Sequence, residues 1–479
     1  RQGGFFLSPR NPMPTGIERS RMPLLWLVAV GFFMQTLDAT IVNTALPAMA
    51  QSLGESPLRM QSVVVAYSLA MAMLIPASGW IADRFGPRRV YLGAISAFVL
   101  GSVLCALSPR LDLLVAARVL QGLGGALLLP VGRLVVLRTF PRDQFLHAMG
   151  FVTIPGLVGP LIGPTLGGWL VETASWHWIF LINVPVGLAG CMATLRFMPQ
   201  VQGPPAGRFD AAGYGLLAFG MVALSLGLDG LSGLGMGQAA VLLLMVFGLA
   251  SVAAYWLHAA RVPQPLFSPR LFAQPSLRIG LLGNLFARLG SGSMPFLVPL
   301  LLQVSMGYSP LQAGMMMLPV AVAGMGAKPL AMWLIDRMGY RRVLVGNTLA
   351  VGVVMASFAL TSPDHPWALR VAQLALFGAV NSLQFTAMNT VTLKDLAPDM
   401  ASSGNSLLSM VQMLAMGMGV AAAGAVLGAF TALWGGAPGQ TLPAFHATFA
   451  CMGLMTMAAA GIFAQLAPDG PADAPSQAG

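Results

Sequence analysis

From residue 24 to residue 466 the chain is a succession of apolar runs, each near or above the ~20 residues an α-helix needs to cross a ~30 Å hydrocarbon core. They fall at about 24–48, 60–82, 89–108, 111–137, 145–171, 177–198, 211–230, 238–258, 277–304, 309–333, 341–361, 366–391, 402–431 and 443–466. Lipid offers backbone amides no partner, so such a chain is expected to fold as an all-α integral membrane bundle of about 14 transmembrane helices. Charged residues make up 8% of the chain, where a soluble domain carries about a quarter. An even number of spans places both termini on one side.

Side is set by the basic residues. With the N-terminus inside, Arg84, Arg88, Arg89, Arg138, Arg142, Arg337, Arg341, Arg342, Lys394 and nine further arginines fall in cytoplasmic segments. Only Arg59, Arg110 and Arg370 remain outside, and clustered Lys/Arg is retained in the cytoplasm. The net charge of +10 is therefore read as an orientation signal rather than a nucleic-acid surface, since no aromatic-plus-basic segment accompanies it. Residues 1–21 are polar and Pro/Gly-rich, with Met13 or Met22 as candidate starts. The first apolar run is long enough to span and has no clear cleavage site, so no signal peptide is expected.

The turn D-R-F-G-P-R-R-V at 83–90 returns as D-R-M-G-Y-R-R-V at 336–343, an offset of 253 residues. Arg118-Val119-Leu120-Gln121 returns as Arg370-Val371-Ala372-Gln373 at 252. Two matches at nearly one offset define two homologous halves. The expected division is a disordered cytoplasmic segment 1–21, a six-helix half 22–198, linkers and two extra helices in 199–276, a second six-helix half 277–467 and a disordered tail 468–479. The linker at 200–209 has the Pro/Gly composition of a boundary.

The architecture, the repeated turn and LDATIVNTALP (37–47) resemble the major facilitator superfamily, in particular its fourteen-helix drug:proton antiporter branch. RVLQGLGGA (118–126), GLVGPLIGPTLGGWL (156–170), WHWIFLINVPVG (176–187) and ASSGNSLLSM (401–410) are similar to that branch's other signatures. The resemblance implies two six-helix halves plus two inserted helices, and a proton-coupled secondary transporter exporting small molecules by alternating access. It further implies multidrug efflux and antibiotic resistance, a bacterial inner membrane, a monomeric unit, and the proton gradient as driving force with no cofactor. A dedicated exporter of an anionic metabolite or metal-carboxylate chelate is the alternative, and a transporter-like membrane sensor the alternative from another class. No enzyme activity is expected, since no nucleophile–base or metal constellation is present. A Walker-type phosphate loop is absent as well.

Candidate chemistry lies where charge enters the apolar runs. Asp38 sits ~21 Å above the inner face by helix rise, leaving ~9 Å to the outer boundary, and Arg118 lies at the same depth. The two are expected to pair for proton coupling, the carboxylate holding its charge beside the guanidinium and taking a proton when they separate. A static ion pair is the plainer alternative. Arg288 lies near the midplane, and with Asn43, Gln35 and Gln121 is expected to line a substrate cavity. Asn43 and Thr40 share a helix face, where a packing role is equally open. Arg133 and Lys328, nearer the inner boundary, are expected to snorkel into headgroups.

Gly159, Gly163 and Gly167 repeat every four residues beside Pro160 and Pro164, which predicts a tightly packed, kinked antiporter helix. The repeated turn (Gly79, Asp83, Arg84, Gly86, Arg88; Asp336, Arg337, Gly339, Arg341) is an orientation signal. It is also a candidate conformational lock, with Asp83 facing the positive end of a helix from the other half. Cys105, Cys191 and Cys451 all lie in apolar runs, and the five histidines show no metal spacing.

Overall fold

The computed structural model describes residues 21–55, 60–201, 207–231, 236–434 and 441–467. The expectations for residues 1–20, Arg59, residues 202–206 of the linker and the 468–479 tail lie outside the described residues.

Every regular element described is helical. The first half comprises α1 (Met22–Leu53), α2 (Gln61–Leu74), α3 (Ser78–Phe85), α4 (Pro87–Ala106), α5 (Leu111–Thr139), α6 (Arg142–Thr173), α7 (Trp178–Leu181) and α8 (Asn183–Phe197). The two extra helices are α9 (Ala211–Leu231) and α10 (Gln238–Ala259). The second half comprises α11 (Pro275–Ser291), α12 (Met294–Leu300), α13 (Pro310–Met316), α14 (Leu318–Gly326), α15 (Lys328–Ser357), α16 (Trp367–Leu393), α17 (Ala401–Leu433), α18 (Thr441–Ala458) and α19 (Ala460–Phe463).

Among the described residues twelve helical segments are long and apolar enough to cross a membrane, and the bent α6 makes thirteen. The remaining expected span, 309–333, is no single helix: it is built from α13, α14 and the first residues of α15. Pro310, Pro319 and Pro329 each sit in the first turn of one of these pieces. A proline lacks the amide that would continue the previous helix but is pre-set to start a new one, so the span is segmented. Within α15, Gly339 takes φ 75° and ψ 164°, and Gly86, its repeat counterpart between α3 and α4, takes φ 84°. Both turns need a left-handed residue, which glycine supplies without a Cβ clash.

The tightest packing in the first half is α1 against α6. Three threonines one turn apart on α1 face three glycines one turn apart on α6. A Cβ added at Gly159, Gly163 or Gly167 would lie 2.3 Å from Oγ1 of Thr36, Thr40 or Thr44 respectively. The threonine hydroxyls are satisfied within α1, Thr40 by Leu37 O at 3.1 Å and Thr44 by Ile41 O at 2.8 Å. The seam therefore buries hydroxyls without orphaning them, and hydrogen bonding is left to the helix itself. Thr40 accordingly belongs to packing and Asn43 points elsewhere. Pro155, Pro160 and Pro164 interrupt α6, and its two arms meet at 47°.

The two extra helices pack on each other, but only α10 is peripheral. α10 turns Leu242, Phe247 and Leu249 outward, whereas α9 buries Leu217 and Met221 completely. α9 packs against both α2 and α17, so it wedges between the halves. The ends of the pair are tied where the chain enters and leaves, by His258 Nε2 and Asp210 Oδ1 at 2.8 Å.

Candidate functional site

α1 carries Asp38 and α5 carries Arg118, and the packing of both into the first half closes them to 2.5 Å, Arg118 Nη1 donating to Asp38 Oδ2. Asp38 is 0% exposed and Arg118 1%. A carboxylate so enclosed costs several kcal/mol unless its lone pairs are filled, and here they are. Oδ1 accepts from Gln121 Nε2 at 2.8 Å and Asn183 Nδ2 at 3.0 Å. Arg118 in turn donates from Nε to Val63 O at 3.1 Å and lies over the Tyr67 ring at 4.3 Å. The group is a caged ion pair: three donors meet Asp38, two on Oδ1 and Arg118 on Oδ2, and a proton on the carboxylate would weaken its hold on Arg118.

Gln121 belongs to this cage and is fully buried in it. Its amide is spent on Asp38, Arg118 and Ser102. Gln35 is buried with its Oε1 unpartnered, and its carbonyl accepts from Tyr67 Oη at 3.4 Å. Asn43 is exposed. Asn183, Ser102 and Tyr67 were not singled out from the sequence. Asn183 could have been, as an amide inside the apolar run FLINVPVG, which lipid-facing helices avoid.

A second buried polar group bridges the halves. Arg133 is 1% exposed and does not snorkel. It reaches α17, donating from Nη2 to Gln412 Oε1 at 3.0 Å and from Nη1 to Asn405 Oδ1 at 3.5 Å. Gln412 passes the contact on to Asn284 Oδ1 at 3.3 Å and to Asn389. Asn284 also accepts from Arg288 Nε at 3.2 Å. Arg288 is 6% exposed and lies over the Phe385 ring at 4.2 Å. Both guanidiniums face amides, and among the described residues neither meets a carboxylate. Among the described residues Arg133 Nε and Arg288 Nη2 have no hydrogen-bond partner. Lys328 also turns inward, over the Phe151 ring of α6 at 4.8 Å. The seven-residue spacing of Asn405 and Gln412 sets them two turns apart on one face, a signal the sequence did contain.

At the basic end of the bundle the first repeated turn is engaged. Asp83 accepts from Arg138 Nη2 at 2.6 Å and from Ser402 Oγ in the first turn of α17, where the helix dipole favours an anion. One turn away Ser78 Oγ meets Ser406 Oγ at 2.8 Å. Between them a Cβ on Gly79 would lie 2.7 Å from Ser402 O. Arg84 and Arg89 are exposed, and Arg88 donates to the Leu195 carbonyl rather than to a carboxylate. The second turn makes no equivalent contact with α17 among the described residues, and its Tyr340 ring lies under Lys394 at 4.6 Å. Asp336 and Arg337 are exposed, Arg341 half-buried, and the Arg337 guanidinium lies over Trp333 at 5.2 Å. The position equivalent to Gly79 is Met332, whose side chain bars the same close approach. The close contact with α17 is thus made by the first turn, through Gly79 and Asp83.

A membrane bundle with a caged acid in its first half and a clamp between halves is the layout of a secondary transporter. The family model described as Major Facilitator Superfamily matches residues 28–420, and the chain belongs to that family. Multidrug resistance protein MdtD of Serratia proteamaculans is 52% identical over 453 residues, covering 93% of both chains. MdtD of Yersinia enterocolitica is 50% identical over 453 residues, covering 93% of this chain and 95% of its own. MdtD of Cronobacter sakazakii is 52% identical over 447 residues, covering 93% and 94%. The human organic anion transporter MFSD10 shares the fold, with a TM-score of 0.67 at 14% identity, over 92% of this chain and 99% of that one. The protein is thus a multi-pass membrane transporter of small molecules. Among the described residues no group of three His, Cys, Asp or Glu could hold a metal ion.

Proposed function

We propose that the protein exports small molecules in exchange for protons by alternating access, as a multidrug-efflux-type antiporter of the bacterial inner membrane. The caged Asp38–Arg118 pair carries this reading, because it is a buried acid whose neutralisation would break a specific contact. Halves 22–198 and 277–467 would rock about the Arg133–Gln412 bridge, with Asp83, Gly79 and the start of α17 closing the basic end. One chain supplies both halves, which supports a monomer as the working unit, driven by the proton gradient without a bound cofactor. Inverted vesicles holding the protein should accumulate a transported dye when a pH gradient is imposed. Accumulation that persists after a protonophore collapses the gradient would remove proton coupling.

The uneven distribution of the basic residues supports a cytoplasmic location for both ends of the bundle. A periplasm-active reporter fused after Leu466 should give no signal, and strong activity there would overturn the orientation.

A second reading, that the exported species is anionic, is favoured by Arg133 and Arg288. Two buried guanidiniums without an acid are costly, and a carboxylate that reached either of them would offset that cost. On this reading Arg288→Gln weakens efflux of an organic acid by roughly an order of magnitude or more, with Arg288→Lys intermediate because it keeps charge but loses the fork. Efflux of lipophilic cations alone, unchanged in Arg288→Gln, would refute it.

A further inference from the structure

At the end of the bundle away from Gly86 and Gly339, α13, α14 and the start of α16 enclose a groove of about 700 Å³ that neither the ion pair nor the bridge uses. Tyr308, Met315, Leu318, Val322, Trp367 and Val371 line it. It lies along the break between α13 and α14 at Met317. It opens to the outside of the bundle, because Val322 is 64% exposed and Trp367 65%. In a membrane that surface faces lipid, with Trp367 and Tyr308 placed as interfacial aromatics are.

A cation stands beside the groove. Arg370 lies one residue before Val371, with its guanidinium 5.7 Å from the Tyr308 ring. Its Nη1 donates to the Ser362 and Pro363 carbonyls at 3.4 and 3.3 Å. Its Nε has no partner, and Asp364, the nearest acid in sequence, is turned to Ser362 at 3.4 Å. The repeat explains why this charge lacks an acid. Arg370 corresponds to Arg118, and Gln373 corresponds to Gln121, bonding Ser357 and Thr361 at 2.8 and 3.1 Å. The positions that answer to Asp38 at the two offsets of 252 and 253 are Gly290 and Ser291. The second half therefore keeps the arginine and the glutamine but not the carboxylate, and its guanidinium has turned to the loop.

We infer that this groove holds one acyl chain of a phospholipid whose phosphate rests on Arg370, a lipid site at the end of the bundle opposite the basic turns. An apolar recess that opens on the hydrocarbon, with a guanidinium beside its Tyr308 wall that meets no acid among the described residues, matches the two parts of such a molecule and their order. The phosphate satisfies the cation with a charge-assisted hydrogen bond, and the chain fills space that water would occupy without partners. The site is independent of what the protein exports and needs no transport to be read.

The test is native mass spectrometry of the full chain, purified in mild detergent from membranes of phosphatidylethanolamine and phosphatidylglycerol. Wild type should retain one phospholipid through a delipidating wash. Arg370→Gln should lose it, Arg370→Lys should keep most of it, and Val322→Trp should lose it by filling the groove while leaving the charge in place. Each variant is checked for an unchanged thermal melt, so that loss of lipid is separated from loss of fold. Retention of the phospholipid in both Arg370→Gln and Val322→Trp would overturn the site. So would a retained molecule that carries no phosphate, or an equal loss in Arg370→Lys.

Discussion

Asp38→Asn is expected to reduce gradient-driven efflux to the level of empty vesicles while the protein still binds its substrate. The amide keeps the shape of the carboxylate and can still meet Gln121 and Asn183, but it cannot pick up or release a proton. The same change leaves Arg118 as a buried charge without its counter-ion, which costs on the order of 3–5 kcal/mol. Lost efflux could then reflect a weakened fold, and a double variant separates the two causes. Asp38→Asn with Arg118→Gln removes both charges and should recover most of the thermal stability, yet gradient-driven efflux should stay at background. Uphill transport by either variant under an imposed pH gradient would show that Asp38 is not the proton carrier.

The second large effect is expected at the seam that holds Asp38 in place. Gly163→Ala sets a Cβ 2.3 Å from Thr40 Oγ1, far inside van der Waals contact. Thr40 is fixed from behind by its bond to Leu37 O, so relief must come from α1 moving away from α6. Overpacking of this kind costs about 1–3 kcal/mol. Asp38 lies half a turn from Thr40, so the displacement also draws it off Arg118. Both the melting temperature and proton-coupled efflux should fall, and Gly163→Leu should not yield folded protein. Gly168, five residues on in the same helix, has nothing within 4 Å of a built Cβ, so Gly168→Ala should stay within about 0.5 kcal/mol of wild type. Equal stability and efflux in the two alanine variants would show that the glycines of α6 do not set the α1–α6 distance.

The asymmetry between the halves bears on how such a transporter opens. One turn of the repeat clamps α17 through Asp83 and Ser402; the other has Met332 where the clamp needs glycine. The start of α17 is thus gripped by α3, and its middle by Arg133 through Asn405 and Gln412. A ligand that drew Arg133 away from Gln412 would loosen the same helix that the clamp holds. Ligand occupancy and opening of the basic end would then act on one element.

Much of this was legible in the chain. The length and apolarity of the runs dictate a membrane bundle, because lipid forbids any other fate for the backbone. The 253-residue offset gives two halves, and the glycine spacing of 159, 163 and 167 gives a close helix contact without saying with which helix. Helical rise even placed Asp38 and Arg118 at one depth. The run 309–333 misled, because its apolarity is continuous while its prolines divide the backbone into three pieces.

What only the tertiary structure decided is the partner of each buried cation. Arg118, Arg133, Arg288 and Arg370 look alike in sequence, each a lone arginine in or at the edge of an apolar run. In the fold Arg118 meets a carboxylate, Arg133 and Arg288 meet a chain of amides, and Arg370 meets loop carbonyls beside a lipid-facing groove. Sequence position fixes depth along a helix, at ~1.5 Å per residue, and the pattern of small residues fixes which face packs closely. Neither fixes which helix stands opposite that face, and a charge in a low-dielectric interior is defined by what stands opposite it.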